Sequence, residues 1–338
     1  MKALLFPGQG SQFVGMARDL HERFPEARHV LDEADRVLGF PLTRLMFEGP
    51  EDVLRETHNA QPAILAHSMA IWAVVRPVFR GARWMAAGHS LGEYSAYAAA
   101  ETFTVTDAVR VVRRRGELMH AAGVARPGTM AAVLGCDLEV VEEVCGSTAG
   151  LVVPANINSP AQVVISGERE AVAAASEALR ARDARKVVGL SVSGAFHSPL
   201  MSSAAEGLRE VLAGVGMADA ASPVYANATA QPVLEAGVIR ASLAQQLLRP
   251  VLWDATMRRM IGLGATEFYE IGPGQILKGL LRSIDRNLPC RTLGTAEEVQ
   301  TFLEEQWAGG EGDSPTVRGA DPESTALPGG QEHGELRG

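Results

Sequence analysis

Gly88-His89-Ser90-Leu91-Gly92 sets a serine between two glycines with the spacing G-x-S-x-G. An apolar run, Trp84 to Ala87, precedes it, and a helical stretch of small residues, Tyr94 to Ala100, follows. Glycines at these positions permit a tight strand-to-helix turn that pushes a serine hydroxyl out at the top of a sheet, where it can act as a nucleophile. Such a serine needs backbone N–H donors aimed at a developing oxyanion. The N–H of Leu91, at the helix start, is one candidate. Gly8-Gln9-Gly10 is the second, because flanking glycines let its backbone approach a ligand closely. A purely structural turn is the alternative in both places.

A serine nucleophile also needs a base, and eight histidines are available. His21, His29 and His58 lie in polar or capping contexts, His67 and His120 on helices, and His333 in the C-terminal tail. His89 adjoins the serine, but neighbours in such a turn point in different directions. His197 remains, in Ser193-Gly194-Ala195-Phe196-His197-Ser198-Pro199, between a strand and the next helix. A polar aromatic side chain at a junction of that kind suits a cleft.

Arg115 carries a third signal. On a helical wheel from Ala108, the side chains of Ala108, Val111, Val112, Met119 and Ala122 share one arc with Arg115 in its middle, while Arg110, Arg113, Arg114 and Glu117 face the other way. A guanidinium cannot discard its proton, so a buried one needs an anion. An internal carboxylate such as Glu93 could supply it, or a carboxylate on a substrate held by a bidentate pair.

These groups need a scaffold, and the chain provides strand, glycine turn and helix twice over. Residues 2 to 6 run into Pro7-Gly8-Gln9-Gly10 and a helix opening near Ser11; Trp84 to Ala87 run into the serine turn. That repetition predicts an α/β sheet with ligand chemistry at its strand ends. Helical patterns cover 17–38, 61–76, 106–122, 200–213, 240–248 and 254–262, and a late strand covers 267–271. The middle reads strand (129–134), helix (139–145), strand (151–156), strand (162–166), helix (170–182), strand (185–192). This βαββαβ order is ferredoxin-like. The predicted organisation is a large subdomain, 1–126 and 191–307, with a small one, 127–190, inserted.

Composition bounds the function. The 338 residues carry 31 Lys plus Arg against 40 Asp plus Glu, a net charge of −9, which argues against nucleic acid or an anionic membrane as main partner. Cys136, Cys145 and Cys290 form no CxxC and no metal-ligand spacing, so neither a disulfide framework nor a metal site is expected, and a reducing cytoplasm is the expected home. No segment reads as a signal peptide or a membrane span. The segment 308–338 has eight Gly, three Pro, six acidic residues and two Arg; it is expected to be disordered, leaving a body with about −5.

Six motifs in order resemble the malonyl-CoA:acyl carrier protein transacylase family over residues 1 to about 300: Phe6-Pro7-Gly8-Gln9-Gly10-Ser11-Gln12, Gly88-His89-Ser90-Leu91-Gly92-Glu93-Tyr94-Ser95, Arg115-Gly116, Asn156-Ile157-Asn158-Ser159-Pro160, Ala195-Phe196-His197-Ser198 and Glu270-Ile271-Gly272-Pro273-Gly274. The resemblance implies an α/β-hydrolase-like large subdomain with the ferredoxin-like one inserted. It implies Ser90 as nucleophile, His197 as base, Arg115 as clamp for the malonyl carboxylate, and the amides of Gln9 and Leu91 as oxyanion hole. Met119 and Asn158 would border the acyl pocket, and a main-chain carbonyl at Leu252 would orient the histidine. Phe196 resembles the malonyl-selective pattern, although Gly194 stands where the family usually has His.

The implied reaction moves malonyl from coenzyme A through a serine ester to the phosphopantetheine thiol of a holo acyl carrier protein, in fatty acid or polyketide synthesis, by a monomer with no cofactor. Arg180, Arg182, Arg185 and Lys186, or Arg113 and Arg114, would face the carrier. The alternatives are an acyl-carrier-protein hydrolase using the same Ser and His, a transferase for an alkylmalonyl unit, and a catalytically silent docking subunit.

Overall fold

The computed structural model describes residues 1–182 and 184–308; beyond Ala308, the tail expected to be disordered lies outside the described residues. Strands β1 (Lys2–Phe6), β2 (Trp84–Gly88), β7 (Val224–Tyr225), β8 (Pro232–Val233), β9 (Glu267–Ile271) and β10 (Cys290–Leu293) form one sheet in the order β10-β9-β1-β2-β7-β8. All its neighbours are parallel except the edge pair β7–β8. Ala3, Leu4, Leu5 and Phe6 are wholly buried, as a central parallel strand covered on both faces requires. The register pairs Phe6 with Gly88, so the turns leaving β1 and β2 lie side by side at the carboxyl edge.

A second sheet is antiparallel: β3 (Thr129–Leu134), β4 (Val152–Ser159), β5 (Gln162–Gly167) and β6 (Lys186–Gly189), in the order β4-β5-β3-β6. Its helices, Leu138–Ser147 and Arg169–Ala181, pack Val141, Val144, Val172 and Leu179 into a core of their own. β4 is also tied to the large subdomain: Val251 N–H donates to Ala155 and Ile157 N–H donates to Val251, each at 2.9 Å.

The helix Thr57–Phe79 is long and apolar enough to cross a membrane by length and composition, with a mean hydropathy of 1.4 over its most apolar window. It is instead the core helix of the large subdomain, packed against Pro25–Leu38, Val105–Ala125 and Ala296–Ala308.

Several expectations are corrected. No helix opens at Ser11; turns continue to Ala17, with Gly15 and Ala17 both at positive φ, and the first helix is Arg18–Arg23. The pattern read as one helix over 17–38 is broken at Phe24, which is extended at φ −116° because the following Pro25 disfavours helical geometry before it. The helix read over 240–248 is Ala236–Gln245 with a tight 3-10 turn, Gln246–Leu248. The last small-sheet strand is Lys186–Gly189, shorter than 185–192.

Candidate active site

Ser90 sits in a turn made possible by close backbone approach. A Cβ at Gly88 would lie 1.9 Å from the carbonyl carbon of Gly92, and one at Gly92 would lie 2.0 Å from the Phe6 carbonyl oxygen. Ser90 itself has φ +51°, a left-handed conformation that costs an L-residue roughly 1–2 kcal/mol. Asn227, just after β7, holds the strained turn: its Oδ1 accepts the Ser90 N–H at 2.7 Å and its Nδ2 donates to the Gly88 carbonyl at 2.7 Å.

His197 faces the serine from the other side of the cleft, with Nε2 2.8 Å from Ser90 Oγ. Its own φ is +57°, so both residues of the pair are held in left-handed backbone. Nδ1 lies 3.0 Å from the Gln246 carbonyl and 3.2 Å from the Arg249 carbonyl. Carbonyl oxygens only accept, so Nδ1 carries the proton and Nε2 presents its lone pair to the hydroxyl. Burial, reinforced by the Arg115 charge, pushes His197 down to about 3, which keeps the resting ring neutral. The Leu252 carbonyl does not orient the ring; it accepts from Thr256 and begins the helix Trp253–Gly262. The 3-10 turn at Gln246–Leu248 brings the carbonyls preceding Val251 to the histidine instead.

Arg115 is 1% exposed, in the apolar face as the wheel predicts. Nη1 donates to Gln61 Oε1 at 2.7 Å, and Nη2 donates to Gln246 Oε1 at 2.9 Å and to Ser90 Oγ at 3.2 Å. The guanidinium lies 5.3 Å from the centre of the Tyr94 ring. All these partners are neutral. Glu93, the internal candidate, makes no hydrogen bond to Arg115 and acts on it as a nearby charge; Gln246 stands between them, its Nε2 donating to Glu93 Oε2 at 2.6 Å. A buried guanidinium whose hydrogen-bond partners are all neutral is able to take an anion from the cleft.

Ser90, His197, Arg115, Gln9, Leu91, Met119 and Phe196 line one cleft of about 350 Å³ between the two sheets' subdomains. Among the described residues, no protein group accepts from the amide of Gln9 or Leu91. The Gln9 side chain is tied down by donating to Thr57 Oγ1 at 3.2 Å. Asn158 does not line this cleft. Its Oδ1 accepts from His89 Nε2 at 2.8 Å and its Nδ2 donates to Gln162, bracing the residue before Ser90. Asn156 lines the cleft in its place, because the pairing of β4 is irregular between Ile157 and Ser159 and strict alternation fails there.

Gln61, Asn227 and Gln246, each at most 1% exposed, are the residues that sequence reasoning missed. The available signal was an amide in an apolar or small-residue context, as in Ala60-Gln61-Pro62 and Ala226-Asn227-Ala228. The basic residues expected to face a carrier are partly paired within the chain. Arg113 and Arg114 are both paired with Glu117, and Arg113 also donates to the His58 carbonyl and Asn59. Arg182 is paired with Glu143, whereas Arg185 and Lys186 are exposed. No cluster of metal-ligating side chains occurs among the described residues.

The acyl transferase domain family matches residues 3–302. The malonyl CoA-acyl carrier protein transacylase of Bacillus subtilis (strain 168) is 42% identical over 310 residues, covering 89% of this chain and 96% of the relative. The acyl-carrier-protein-S-malonyltransferase of Bartonella henselae is 42% identical with a TM-score of 0.86, covering 90% of this chain and 99% of that one. A malonyl-transacylase solved in complex with its type II PKS acyl-carrier protein is 39% identical with a TM-score of 0.85, covering 90% and 99%. With the serine turn, the histidine and the buried arginine in one cleft of a fold shared over nine-tenths of its length, this chain belongs to the acyl transferase family of the malonyl CoA-acyl carrier protein transacylases.

Proposed function

We propose that this chain moves a malonyl group from coenzyme A to the phosphopantetheine thiol of an acyl carrier protein by way of a Ser90 ester. The observation that carries the reading is Arg115: a buried guanidinium with only neutral direct partners, 3.2 Å from the nucleophile oxygen. A carboxylated acyl group supplies the missing anion and, once paired, places its thioester carbon over Ser90 Oγ.

His197 Nε2 takes the Ser90 proton as Oγ attacks the thioester carbonyl. The Gln9 and Leu91 amides receive the oxyanion, which collapses with loss of the coenzyme A thiolate; the imidazolium returns its proton to that leaving group. The carrier's thiol then gives its proton to His197 and attacks the serine ester by the same route in reverse. The carbonyls of Gln246 and Arg249 keep the imidazole in its working tautomer, so no acidic third residue is required. The malonyl carboxylate has a second effect. It offsets the Arg115 charge that opposes protonation of His197, so the base strengthens when the correct acyl group is bound.

The reaction needs no cofactor beyond the thioester. Three free cysteines fit a reducing cytoplasm, and the exposed Arg185 and Lys186 supply positive charge for a carrier. The test is incubation with labelled malonyl-CoA, with and without holo acyl carrier protein. Label on Ser90 that passes to the carrier's thiol supports the reading; label that appears only as free malonate would favour a hydrolase.

A further inference from the structure

Glu93 is a fully buried carboxylate beside the site, and the mechanism gives it no step. Its Oε2 accepts from Gln246 Nε2 at 2.6 Å and from the Asn227 backbone N–H at 3.2 Å, while Oε1 has no hydrogen-bond partner among the described residues. Gln246 in turn meets all three residues of the proposed chemistry. Its backbone carbonyl holds His197 Nδ1, its Nε2 donates to the Ser90 carbonyl at 2.9 Å, and its Oε1 accepts from Arg115 Nη2 at 2.9 Å.

The two ends of a primary amide have nearly the same shape, so its neighbours decide which end faces which way. On one side of Gln246 stand two acceptors, the Glu93 carboxylate and the Ser90 carbonyl. On the other stands a guanidinium, which only donates. Reversing the amide would set oxygen against carboxylate and NH2 against guanidinium, in a place closed to water.

We propose that Glu93 is a positioning residue for acyl selection: by fixing the amide of Gln246, it holds Arg115 at the angle that receives a substrate carboxylate. This rests on Arg115 as the acyl clamp. Burial pushes Glu93 up to about 7, against the hydrogen bonds from Gln246 and Asn227 and the nearby Arg115 charge. A proton on the unpartnered Oε1 leaves Oε2 an acceptor, so the amide depends on where the acceptor oxygen lies rather than on a full charge. A glutamine at 93 can place its carbonyl oxygen at the Oε2 position; a leucine cannot.

The experiment compares covalent labelling of the full chain by malonyl-CoA and by acetyl-CoA, expressed as the ratio of the two kcat/KM values. Glu93→Leu is expected to lower the malonyl-to-acetyl ratio about tenfold, the scale of one buried, charge-assisted hydrogen bond, and Glu93→Gln to restore it to within about threefold. A general packing defect lowers both labels together and leaves the ratio alone, so an unchanged ratio in a folded Glu93→Leu overturns the proposal. A lowered ratio that Glu93→Gln does not restore also overturns it. If Glu93→Leu does not fold, Glu93→Asp withdraws the acceptor by one methylene and must lower the ratio; retention of the wild-type ratio overturns the proposal. Arg115→Ala, run in parallel, separates the two readings. If it collapses the ratio while Glu93→Leu does not, only the role of Glu93 falls; if it leaves the ratio unchanged, the clamp falls and the role of Glu93 with it.

Discussion

The Gln246 carbonyl lies 3.0 Å from His197 Nδ1, so a neutral main-chain oxygen stands where a Ser-His-Asp triad has a carboxylate. It fixes the tautomer without adding a negative charge near Ser90. The charge of Arg115, 3.2 Å from Ser90 Oγ, is therefore not offset from the histidine's side, as the proposed selection of a negatively charged acyl group requires.

Replacing Ser90 with Ala removes the attacking oxygen and leaves the cleft otherwise intact. No covalent malonyl adduct should form, as intact-mass measurement after incubation with malonyl-CoA would record. An adduct of unchanged yield would place the nucleophile elsewhere.

Arg115→Ala should lower kcat/KM for malonyl-CoA by about 100-fold or more, roughly 3 kcal/mol for a lost bidentate ionic contact. Acetyl-CoA should lose far less, so relative activity with neutral acyl groups rises. Competition between the two thioesters would measure the change.

The pH profile should carry the mark of the depressed histidine. With His197 down at about 3, acylation by malonyl-CoA should show no loss of base near pH 6.5, the ordinary imidazole value. In Arg115→Ala one cause of the depression is gone, so the acid limb of residual acetyl transfer should move to higher pH. A wild-type acid limb centred on 6.5, measured in kcat/KM over a range where the protein stays folded, would contradict the geometry.

Glu93 gives a stability prediction of definite sign. Its native value, about 7, lies above the unfolded value of 4.5, so the folded state holds the proton more tightly and wild type loses stability as pH rises from about 4.5 through 7. Glu93→Gln does not titrate. Its melting temperature relative to wild type should therefore rise between pH 5 and pH 8, by an amount corresponding to up to roughly 3 kcal/mol. A constant difference would mean that the carboxylate is already matched in charge.

Gly88→Ala should fail to accumulate as folded protein, because the added carbon would meet the Gly92 backbone and no flexible side chain can yield. Solubility and circular dichroism would check it. An active, folded Gly88→Ala protein would show that the turn can open.

Much of the site was legible in local patterns because local rules govern its parts. Period and spacing placed Ser90 on a strand-to-helix turn, turned Arg115 into the apolar face of its helix and set His197 at a junction. Those are matters of backbone geometry within a few residues. The α/β sheet and the βαββαβ order were legible for the same reason.

What only the tertiary structure decided is who meets whom. The sequence determined that Arg115 faces inward but not that its partners are Gln61 and Gln246, which lie 54 and 131 positions away. It pointed to a main-chain carbonyl for the histidine at Leu252, and the 3-10 turn at Gln246–Leu248 brings Gln246 and Arg249 there instead. It placed Asn158 at the acyl pocket, and an irregular stretch of β4 gives that wall to Asn156. Neutral amides leave no periodicity and no charge signature in a sequence, and their hydrogen-bond ends are assigned only when distant strands and helices close around them.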